Sequence, residues 1–403
     1  MRWFTCTPRN FPGDQGFFDR ESGLLSRGFR ALGVESMAVT LGPVRDGDLP
    51  QMLRASEEEL ASADWWRSHR LDGVVFYCWG DPEFQPISDA IVAAGIRLVS
   101  VSDTNGVFSP LSDWYGHLIS AWHHQWQMPF LSKLTRTVLR IPYFYTVGIL
   151  KHDLPRARMM STGNYFAAAT PGSAERHRRF VRRLAGKDAA SKVRFLPVPV
   201  NFHFGFDPSQ TKHDEVVAVA RWDDFSQKRP SLLMEVFERS ARRRVNTLFR
   251  IFGRTPDFMR DWHASLPPEL RSRIVLEGIQ PNSLVSEAYR RARVMFVSAA
   301  YEGCHNASAE AICSGCSIVG ASSPFLCALE WHASHESGTL THDASPASLT
   351  EALCSELEIW DRGGRDPEKI SRSWCTELHP DRAAAAILAL FGLEAGIPEP
   401  VSA

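Results

Sequence analysis

Apolar strand-like runs alternate with helix-like runs through most of the 403-residue chain. This alternation is typical of parallel sheets whose strands are joined by crossover helices. In the first half we predict strands at residues 2–5, 36–40, 73–77, 97–101, 166–169 and 193–196. We predict helices in the same half at residues 20–32, 57–68, 83–94 and 173–184.

The second half repeats the pattern. Strands are predicted at residues 215–220, 247–252, 274–277, 294–297 and 317–320. Helices are predicted at residues 230–242, 256–265 and 283–292, in a segment beginning at Glu310, and at residues 367–374 and 380–391. The pattern therefore favours an α/β fold with two Rossmann-like domains, whose parallel sheets face a central cleft.

The chain is too long for one typical core and suits two domains of roughly 200 residues each. Pro and Gly interrupt residues 197–208, where no periodicity holds, so the linker is predicted there. We predict an N-terminal domain over residues 1–200 with an irregular insert or helical cap at 107–160. A C-terminal domain follows over 201–379, and a helix in 380–403 is expected to cross back to the first domain.

The overall charge does not point to a strongly polyanionic partner. The formal net charge is −1, so no nucleic-acid partner is expected. No run of 18 apolar residues would form a membrane-spanning helix, and the first residues lack the apolar core of a secretory signal. The eight cysteines lie in apolar or small-residue stretches, which is typical of reduced thiols. These features predict a cytoplasmic protein.

Two carboxylates, Glu302 and Glu310, are separated by seven residues after an apolar run. The segment reads as strand, loop, helix, turn and strand. A helix N-terminus facing the loop offers free N–H groups and a positive dipole end to an anion. The two carboxylates can accept hydrogen bonds from hydroxyls on either side of that anion. A nucleoside-diphosphate sugar has this order of hydroxyls, phosphates and ribose hydroxyls.

The run Tyr-Glu-Gly-Cys-His-Asn-Ala-Ser-Ala-Glu, followed by small residues, Gly and an apolar strand, resembles the signature of the retaining glycosyltransferases of family 4, which have the GT-B fold. The resemblance implies that Glu302 contacts the transferred sugar and Glu310 the nucleotide ribose. Gly303, Cys304, His305 and Asn306 are then expected beside the phosphates, mainly through backbone N–H groups. Ile279 and Gln280 are expected against the nucleobase.

A second motif lies upstream. Arg221 ends a strand, and Lys228 follows seven residues later at the start of a helix. Two cations at one sheet edge can offset the charge of a diphosphate, and the family resemblance implies the same role. We therefore expect no metal and no other cofactor, with the nucleotide sugar acting as a co-substrate.

On the acceptor side the resemblance is weaker. The loop after the first strand contains Gly13, Gly16, Asp19 and Arg20 but lacks the tandem Gly of many relatives, so an acceptor-binding loop and a solvated loop both remain open. After the fourth strand, Ser102 replaces a His found in many relatives, which leaves Asp103 as the catalytic candidate of the first domain.

The insert at 107–160 combines aromatic residues with cations, and includes Trp114, Trp122, His124, Trp126 and Arg140. Such a surface suits either a stacked sugar or a lipid headgroup layer. Peripheral membrane contact at the inner face is therefore an open alternative.

The function expected from these motifs is metal-independent, retaining transfer of a hexose from a nucleoside-diphosphate sugar to a saccharide, lipid-linked or other hydroxyl acceptor. This activity would serve the synthesis of surface polysaccharide, glycolipid or glycoconjugate. Two alternatives remain: an epimerase with the same fold, and a nucleotide-sugar-binding protein without transferase activity.

Overall fold

The computed structural model describes residues 1–123 and 128–394. His124 and Trp126 of the insert, and residues 395–403 of the predicted C-terminal segment, lie outside this range. The strands are β1 (Trp3–Thr7), β2 (Ala38–Leu41), β3 (Met52–Ala55), β4 (Gly73–Tyr77), β5 (Arg97–Ser102), β6 (Tyr165–Ala168), β7 (Val193–Phe195), β8 (His213–Val219), β9 (Leu248–Phe252), β10 (Ile274–Gly278), β11 (Ala292–Phe296), β12 (Ser317–Ala321) and β13 (Gly338–Thr341).

Helices connect nearly all of these strands. In the first half they are α1 (Gln15–Phe18), α2 (Glu21–Ala31), α3 (Glu57–Leu60), α4 (Ala63–Ser68), α5 (Gln85–Ala93), α6 (Pro110–His123), α7 (Phe130–Tyr145), α8 (Leu154–Ser161) and α9 (Pro171–Ser191). In the second half they are α10 (Phe225–Lys228), α11 (Pro230–Arg243), α12 (Asp257–Ser265), α13 (Pro268–Arg271), α14 (Asn282–Arg291), α15 (Asn306–Cys313), α16 (Cys327–His332), α17 (Pro346–Asp361), α18 (Pro367–Leu378) and α19 (Pro380–Ala389). A 3₁₀ turn at Pro82–Phe84 and a π-helix at Ile149–Asp153 complete the set.

Each half of the chain builds one parallel sheet. The first has the order β3-β2-β1-β4-β5-β6-β7 and the second the order β10-β9-β8-β11-β12-β13. All five residues of β1 and all five of β12 are buried. Parallel strands that are covered on both faces are buried along their whole length and consist mainly of apolar residues. Such strands can therefore be predicted from the sequence. The prediction of an α/β fold with two parallel sheets is confirmed.

The chain divides into two compact units. The first comprises residues 1–201 and 377–403, and the second residues 202–376. One core of the first unit contains Phe4, Phe76 and Phe166. A further core in that unit, around Trp3 and Phe29, also contains buried residues of α19. The core of the second unit includes Phe237 on α11, Phe249 on β9 and Phe296 on β11.

The insert is helical where the structure describes it, with α6, α7, the π-helix and α8 in succession. Two edge strands, β3 and β13, were absent from the sequence prediction. Among the described residues, no helix combines the length and apolar character needed to cross a bilayer.

Candidate active site

The two predicted donor motifs meet at the point where the strand order of the second sheet reverses. Strands β8 and β11 are neighbours there, although β9 and β10 separate them in sequence. Arg221 follows the carboxyl end of β8, and Glu302 follows the carboxyl end of β11. In open α/β sheets, ligands bind outside the carboxyl ends of the strands at such a switch point.

The loop after β8 is fixed at its base by the neighbouring strand. The buried Trp222 donates its indole N–H to the carbonyl of Phe252 at 2.9 Å. Gly253 has φ +112°, and a Cβ there would lie 1.9 Å from the carbonyl oxygen of Ala220. Only glycine permits this close backbone approach. The loop leaves Arg221 exposed at the edge of the sheet.

Lys228 is the last residue of the short helix α10. The carboxylate of Asp224 caps this helix by accepting the N–H of Gln227 at 3.1 Å. Arg229 then takes a left-handed conformation with φ +51°, and Pro230 begins α11. The left-handed residue ends one helix and reorients the chain into the next, which fixes where the Lys228 side chain emerges.

Four hydrogen bonds join the loop after β8 to the loop after β11. The Ala300 N–H donates to the carbonyl of Gln227 at 2.7 Å. The side-chain amide of Gln227 donates to the carbonyl of Tyr301 at 3.2 Å. The Ser298 hydroxyl donates to the carbonyl of Lys228 at 2.6 Å, and the hydroxyls of Tyr301 and Ser226 are 3.3 Å apart. The two loops therefore hold their functional side chains as one unit.

Lys228 and Glu302 form an ion pair at this junction. The ammonium Nζ donates to Oε1 of Glu302, and the two side chains are 14% and 11% exposed. Burial raises the pKa of Glu302 above its usual value, although the charges of Lys228 and Arg221 act in the opposite direction. The carboxylate is thus largely removed from water and depends on nearby cations to stay ionised.

His305 occupies the N-cap position of α15 with φ +43°. Its Nδ1 accepts the N–H of Ser308 at 3.1 Å, which places any ring proton of the neutral form on Nε2. Burial, followed by the charge of Lys228, lowers the pKa of His305 to about 3. His305 is therefore a neutral imidazole that holds the first turn of the helix in place.

A second buried histidine supports this helix. The Ser308 hydroxyl donates to the carbonyl of His305 at 3.0 Å and lies 2.8 Å from Nδ1 of His332. Burial lowers the pKa of His332 to about 3, and the nearby His305 adds to this effect. The neutral His332 ring donates to Ser308, so both histidines have structural hydrogen bonds at the N-terminus of α15.

The prediction that a helix begins at Glu310 is wrong. Helix α15 begins at Asn306, and Glu310 is its fifth residue. The first turn was not predicted because its N-cap is His305 in a left-handed backbone conformation, whereas Ser, Thr, Asp and Asn are the usual N-caps. Gly303 and Cys304 precede the helix, and the Cys304 thiol lies 3.0 Å from the side-chain oxygen of Asn306.

The residues expected at the nucleobase follow β10, at the outer edge of the sheet. Ile279 is 71% exposed. The Gln280 side chain donates to the carbonyl of Glu277 at 2.7 Å. Gly278, with φ +69°, makes the turn that leads into this loop. The assignment of these residues to the base stays a prediction.

Two acceptor-side candidates are held by contacts within the first unit. The carbonyl of Gly13 accepts the N–H of Leu49 at 2.8 Å. A Cβ on Gly13 would lie 2.3 Å from a carboxylate oxygen of Asp48, so this glycine does serve a close approach. Asp19 accepts hydrogen bonds from Arg27 at 2.8 Å and from Asn201 at 2.6 Å.

The remaining candidates of the first unit are less constrained. Gly16 lies within α1, and the exposed Arg20 occupies the N-cap position of α2. Asp103 follows β5, and burial raises the pKa of its carboxyl group. Beside it, the hydroxyls of Ser102 and Thr104 are 3.0 Å apart. The catalytic and acceptor-binding roles of these residues stay predictions.

Sequence reasoning missed several residues that position the site: Gly253, Ser298, Tyr301, Ser308 and His332. A glycine directly after a strand, at the same sheet edge as Arg221, is a signal that could have revealed Gly253. The roles of Ser298 and Tyr301 depend on contacts over about 70 residues of chain, for which the local sequence gives no signal.

Comparisons with known proteins show a family match for part of the chain and a shared fold. A family model described as Glycosyl transferases group 1 matches residues 213–358. No curated protein matches the chain. The apo form of the lipopolysaccharide outer core galactosyltransferase WaaB aligns with a TM-score of 0.61 and 13% identity, over 97% of this chain and 99% of that one.

Two further solved structures align over nearly the whole chain. HepE from Anabaena in complex with UDP has a TM-score of 0.61 and 12% identity, covering 97% of this chain and 100% of that one. The sucrose-phosphate synthase of Thermosynechococcus elongatus has a TM-score of 0.59 and 12% identity, covering 97% and 98%. The chain has the GT-B fold, and residues 213–358, within its second unit, match the model of the glycosyl transferases group 1 family.

Proposed function

We propose that this chain is a retaining glycosyltransferase that moves a sugar from a nucleoside-diphosphate sugar to an acceptor hydroxyl. The observation that carries the proposal is the Lys228–Glu302 pair, joined by interlocked loops at the switch point of the second sheet. This pair lies within the segment that matches the glycosyl transferases group 1 model. HepE, which shares the fold, has been solved with UDP and glucose.

The charges of the site suit a diphosphate leaving group. Lys228 and the exposed Arg221 offset the negative charge that grows on the diphosphate as the glycosidic bond breaks. The first N–H groups of α15, beginning near Asn306, provide further donors for the phosphates. Glu302 accepts hydrogen bonds from the transferred sugar, and Glu310 binds the ribose hydroxyls. Ile279 and Gln280 border the base.

Retention follows from a reaction on one face of the sugar. The bond between the anomeric carbon and the phosphate oxygen breaks, and a bond from the acceptor oxygen forms on the same face. The acceptor proton passes to the leaving phosphate oxygen, so the protein needs no nucleophile. Asp103 and the loop with Gly13, Gly16, Asp19 and Arg20 are proposed to bind the acceptor.

The acceptor is a hydroxyl compound, either a saccharide or a lipid-linked sugar. The reaction takes place in the cytoplasm. It serves the synthesis of surface polysaccharide, glycolipid or glycoconjugate. The charge assigned to Arg221, Lys228 and the α15 amides leaves no need for a bound metal. An epimerase would interconvert nucleotide sugars without an acceptor, and a pure binding protein would release no nucleoside diphosphate.

The test combines a panel of nucleoside-diphosphate sugars with simple acceptors and follows the anomeric signals of donor and product by NMR. We expect the product to keep the donor's configuration, with one nucleoside diphosphate released per glycoside formed, and the rate to survive excess EDTA. An inverted product would refute the retaining mechanism. A rate that EDTA abolishes and Mg²⁺ or Mn²⁺ restores would refute the assignment of phosphate charge to side chains.

A further inference from the structure

Helix α7, within the insert of the first unit, exposes side chains along its whole length. None of its sixteen residues, Phe130–Tyr145, is buried. Leu131 and Leu139 are 74% and 65% exposed, and Leu150 in the following π-helix is 70% exposed. Single exposed apolar residues are normal, but a contiguous set marks contact with a partner or a membrane.

A cavity of about 220 Å³ lies between α6 and α7. Apolar and aromatic side chains form most of its wall, among them Trp114, His117, Leu118, Ile141, Phe144 and Tyr145. The Thr137 hydroxyl, also in the wall, donates to the carbonyl of Lys133 at 2.8 Å and so adds no free polar group. A dry cavity of roughly 150 Å³ with similar walls is large enough to bind benzene.

The imidazole in the wall is uncharged at neutral pH. The ring of His117 packs edge-on against Phe144, with centroids 4.5 Å apart. Burial lowers the pKa of His117 to about 4, and the charge of Arg140 adds to this effect. Its Nε2 has no hydrogen-bond partner among the described residues. The cavity therefore favours an apolar occupant.

The segment around the cavity carries charge of one sign. Between Asp113 and Asp153 the chain has no acidic residue but has four cations: Lys133, Arg136, Arg140 and Lys151. Arg140 is exposed and also lines the cavity. Lys133 lies 4.2 Å from the ring centroid of Trp122, which ties α7 to α6. Cations beside an apolar cavity suit a molecule with an apolar chain and an anionic headgroup.

We propose that α6 and α7 form a docking site for an anionic bilayer, in which α7 lies in the interface and the cavity takes one acyl chain of an anionic lipid. The headgroup of that lipid lies against Arg140. A second copy of the same surface is disfavoured, because its four cations would face the same four cations of the first copy. The one carboxylate of α6, Asp113, is already paired with Arg176 at 3.0 Å. The proposal goes beyond sugar transfer and uses no residue of the candidate donor site.

The first test measures flotation of the full chain with vesicles. Vesicles of phosphatidylcholine alone are compared with vesicles that also contain phosphatidylglycerol. We expect binding to the anionic vesicles only, decreasing as salt is added. The pair Arg136→Ala and Arg140→Ala should weaken the partition constant by about 30-fold. The pair Leu131→Ser and Leu139→Ser should weaken it by at least about tenfold.

Matched controls lie elsewhere in the chain. Val44 in the first unit is 80% exposed, so Val44→Ser removes an equally exposed apolar side chain. Arg239 on α11 has a side chain that is 52% exposed, so Arg239→Ala removes an exposed cation. Neither change should alter flotation. Circular dichroism of every variant reports folding. If the leucine pair does not fold, the arginine pair and the salt dependence of the unchanged protein still decide.

A second test locates the acyl chain. Phosphatidylglycerol with a photoreactive diazirine at the end of one acyl chain is incorporated into the vesicles, and crosslinked peptides are identified by mass spectrometry. We expect adducts in peptides of α6 and α7. Thr137→Phe, which fills the cavity, should remove them while salt-dependent flotation persists. A fluorescent fatty acid in buffer should bind far more weakly than the vesicles.

Five outcomes would overturn the proposal. These are equal flotation with uncharged vesicles, flotation that neither variant pair weakens, and adducts confined to other parts of the chain. The fourth is a concentration-dependent dimer that the leucine pair abolishes, because it would assign the exposed face to a second copy. Fatty acid in buffer binding as tightly as vesicles would show a pocket for a free amphiphile instead of a bilayer site.

Discussion

The ammonium of Lys228 forms an ion pair with Glu302. We propose that the same ammonium also binds the donor diphosphate. In both roles the Lys228 cation compensates a negative charge, that of the carboxylate or of the diphosphate, which is removed from water. The pairing explains how a carboxylate as buried as Glu302 can remain ionised. It also means that substitutions of either residue affect catalysis and stability together.

Replacement of the cations should slow turnover. We expect Lys228→Ala and Arg221→Ala to reduce kcat by roughly 10²–10³, the usual cost of losing one donor at a site of developing negative charge. The measurement is steady-state kinetics with the preferred donor. Arg239→Ala, which removes an exposed cation on α11, serves as the control. Because Lys228→Ala strands a buried carboxylate, its melting temperature is measured as well; unchanged kcat in both variants would show that neither cation offsets developing charge.

Glu302→Gln should stabilise the protein while it impairs catalysis. Burial raises the pKa of Glu302 above its ordinary value of 4.5, so the charged form is less favourable in the folded state than in the unfolded state. The stability that this group contributes is present below the unfolded pKa and is lost as the pH rises through the folded pKa. At pH 7 the neutral amide removes that loss, so we expect Glu302→Gln to melt at a higher temperature than the unchanged protein.

Melting temperatures of the two proteins at pH 7 and near pH 4 check this sign. The advantage of Glu302→Gln should shrink at the lower pH, where the native carboxyl group also takes up its proton. Glu235→Gln, at a position where the side chain is 45% exposed, is the control. A variant that melts below the unchanged protein at pH 7 would show that the Lys228 pair outweighs the burial cost.

At the scale of elements, strands buried on both faces could be predicted, whereas two of the four edge strands in the described part of the chain could not. The prediction for β4, residues 73–77, matches the structure, because Gly-Val-Val-Phe-Tyr is a continuous apolar run. Strands β3 and β13 lie at sheet edges and have the sequences Met-Leu-Arg-Ala and Gly-Thr-Leu-Thr. Edge strands need less apolar surface, so neither sequence has the signature of a strand.

The candidate site could be predicted in part for the same reason. The loops that carry Arg221, Lys228 and Glu302 follow apolar strands, so the position of these loops at one edge of the sheet could be predicted from the sequence. The ion pair between Lys228 and Glu302 could not be predicted, because the two residues are 74 positions apart and only the strand order brings them together. His305 as an N-cap was also hidden, since its left-handed backbone leaves no trace in residue type.

Gly253 tests how far one backbone contact supports the loop after β8. We expect Gly253→Ala to destabilise the protein by roughly 1–3 kcal/mol, because the new Cβ meets the carbonyl of Ala220 and φ is +112°. It should also lower kcat by moving Arg221. Gly363→Ala is a matched control, since φ is +70° there but a Cβ would meet nothing within 4 Å. Equal losses of unfolding free energy in both variants would mean that the contact with Ala220 is unimportant.

At the scale of the whole chain, the two units share one strand order over six strands, to which the first sheet adds β7. In each, the strand order reverses between a first strand and its fourth, at β1/β4 in the first sheet and at β8/β11 in the second. The second switch point carries the charged site described above. Beyond β4 at the first, Trp79 adopts φ +54°, a strained conformation for a bulky side chain and one that sequence reasoning did not anticipate.

Each unit also contains fully buried histidines, so both should lose stability in mild acid. Burial lowers the pKa of His177 in the first unit from 6.5 to about 4, and those of His305 and His332 in the second to about 3. Between these values and 6.5 the unfolded chain takes up protons that the folded chain does not, so stability falls as pH falls. Each such histidine adds about 1.4 kcal/mol per pH unit to that slope.

His177→Gln isolates one of these contributions. The ring of His177 donates from Nδ1 to the carbonyl of Ser173 at 2.7 Å, a bond that a glutamine amide can replace. Denaturant unfolding between pH 7 and pH 4 should show a shallower loss of stability in this variant than in the unchanged protein. His335→Gln, at a position that is 91% exposed, should leave the slope unchanged. If His177→Gln leaves it unchanged too, His177 already carries its proton in the folded state, and the acid sensitivity of the first unit must arise from other groups.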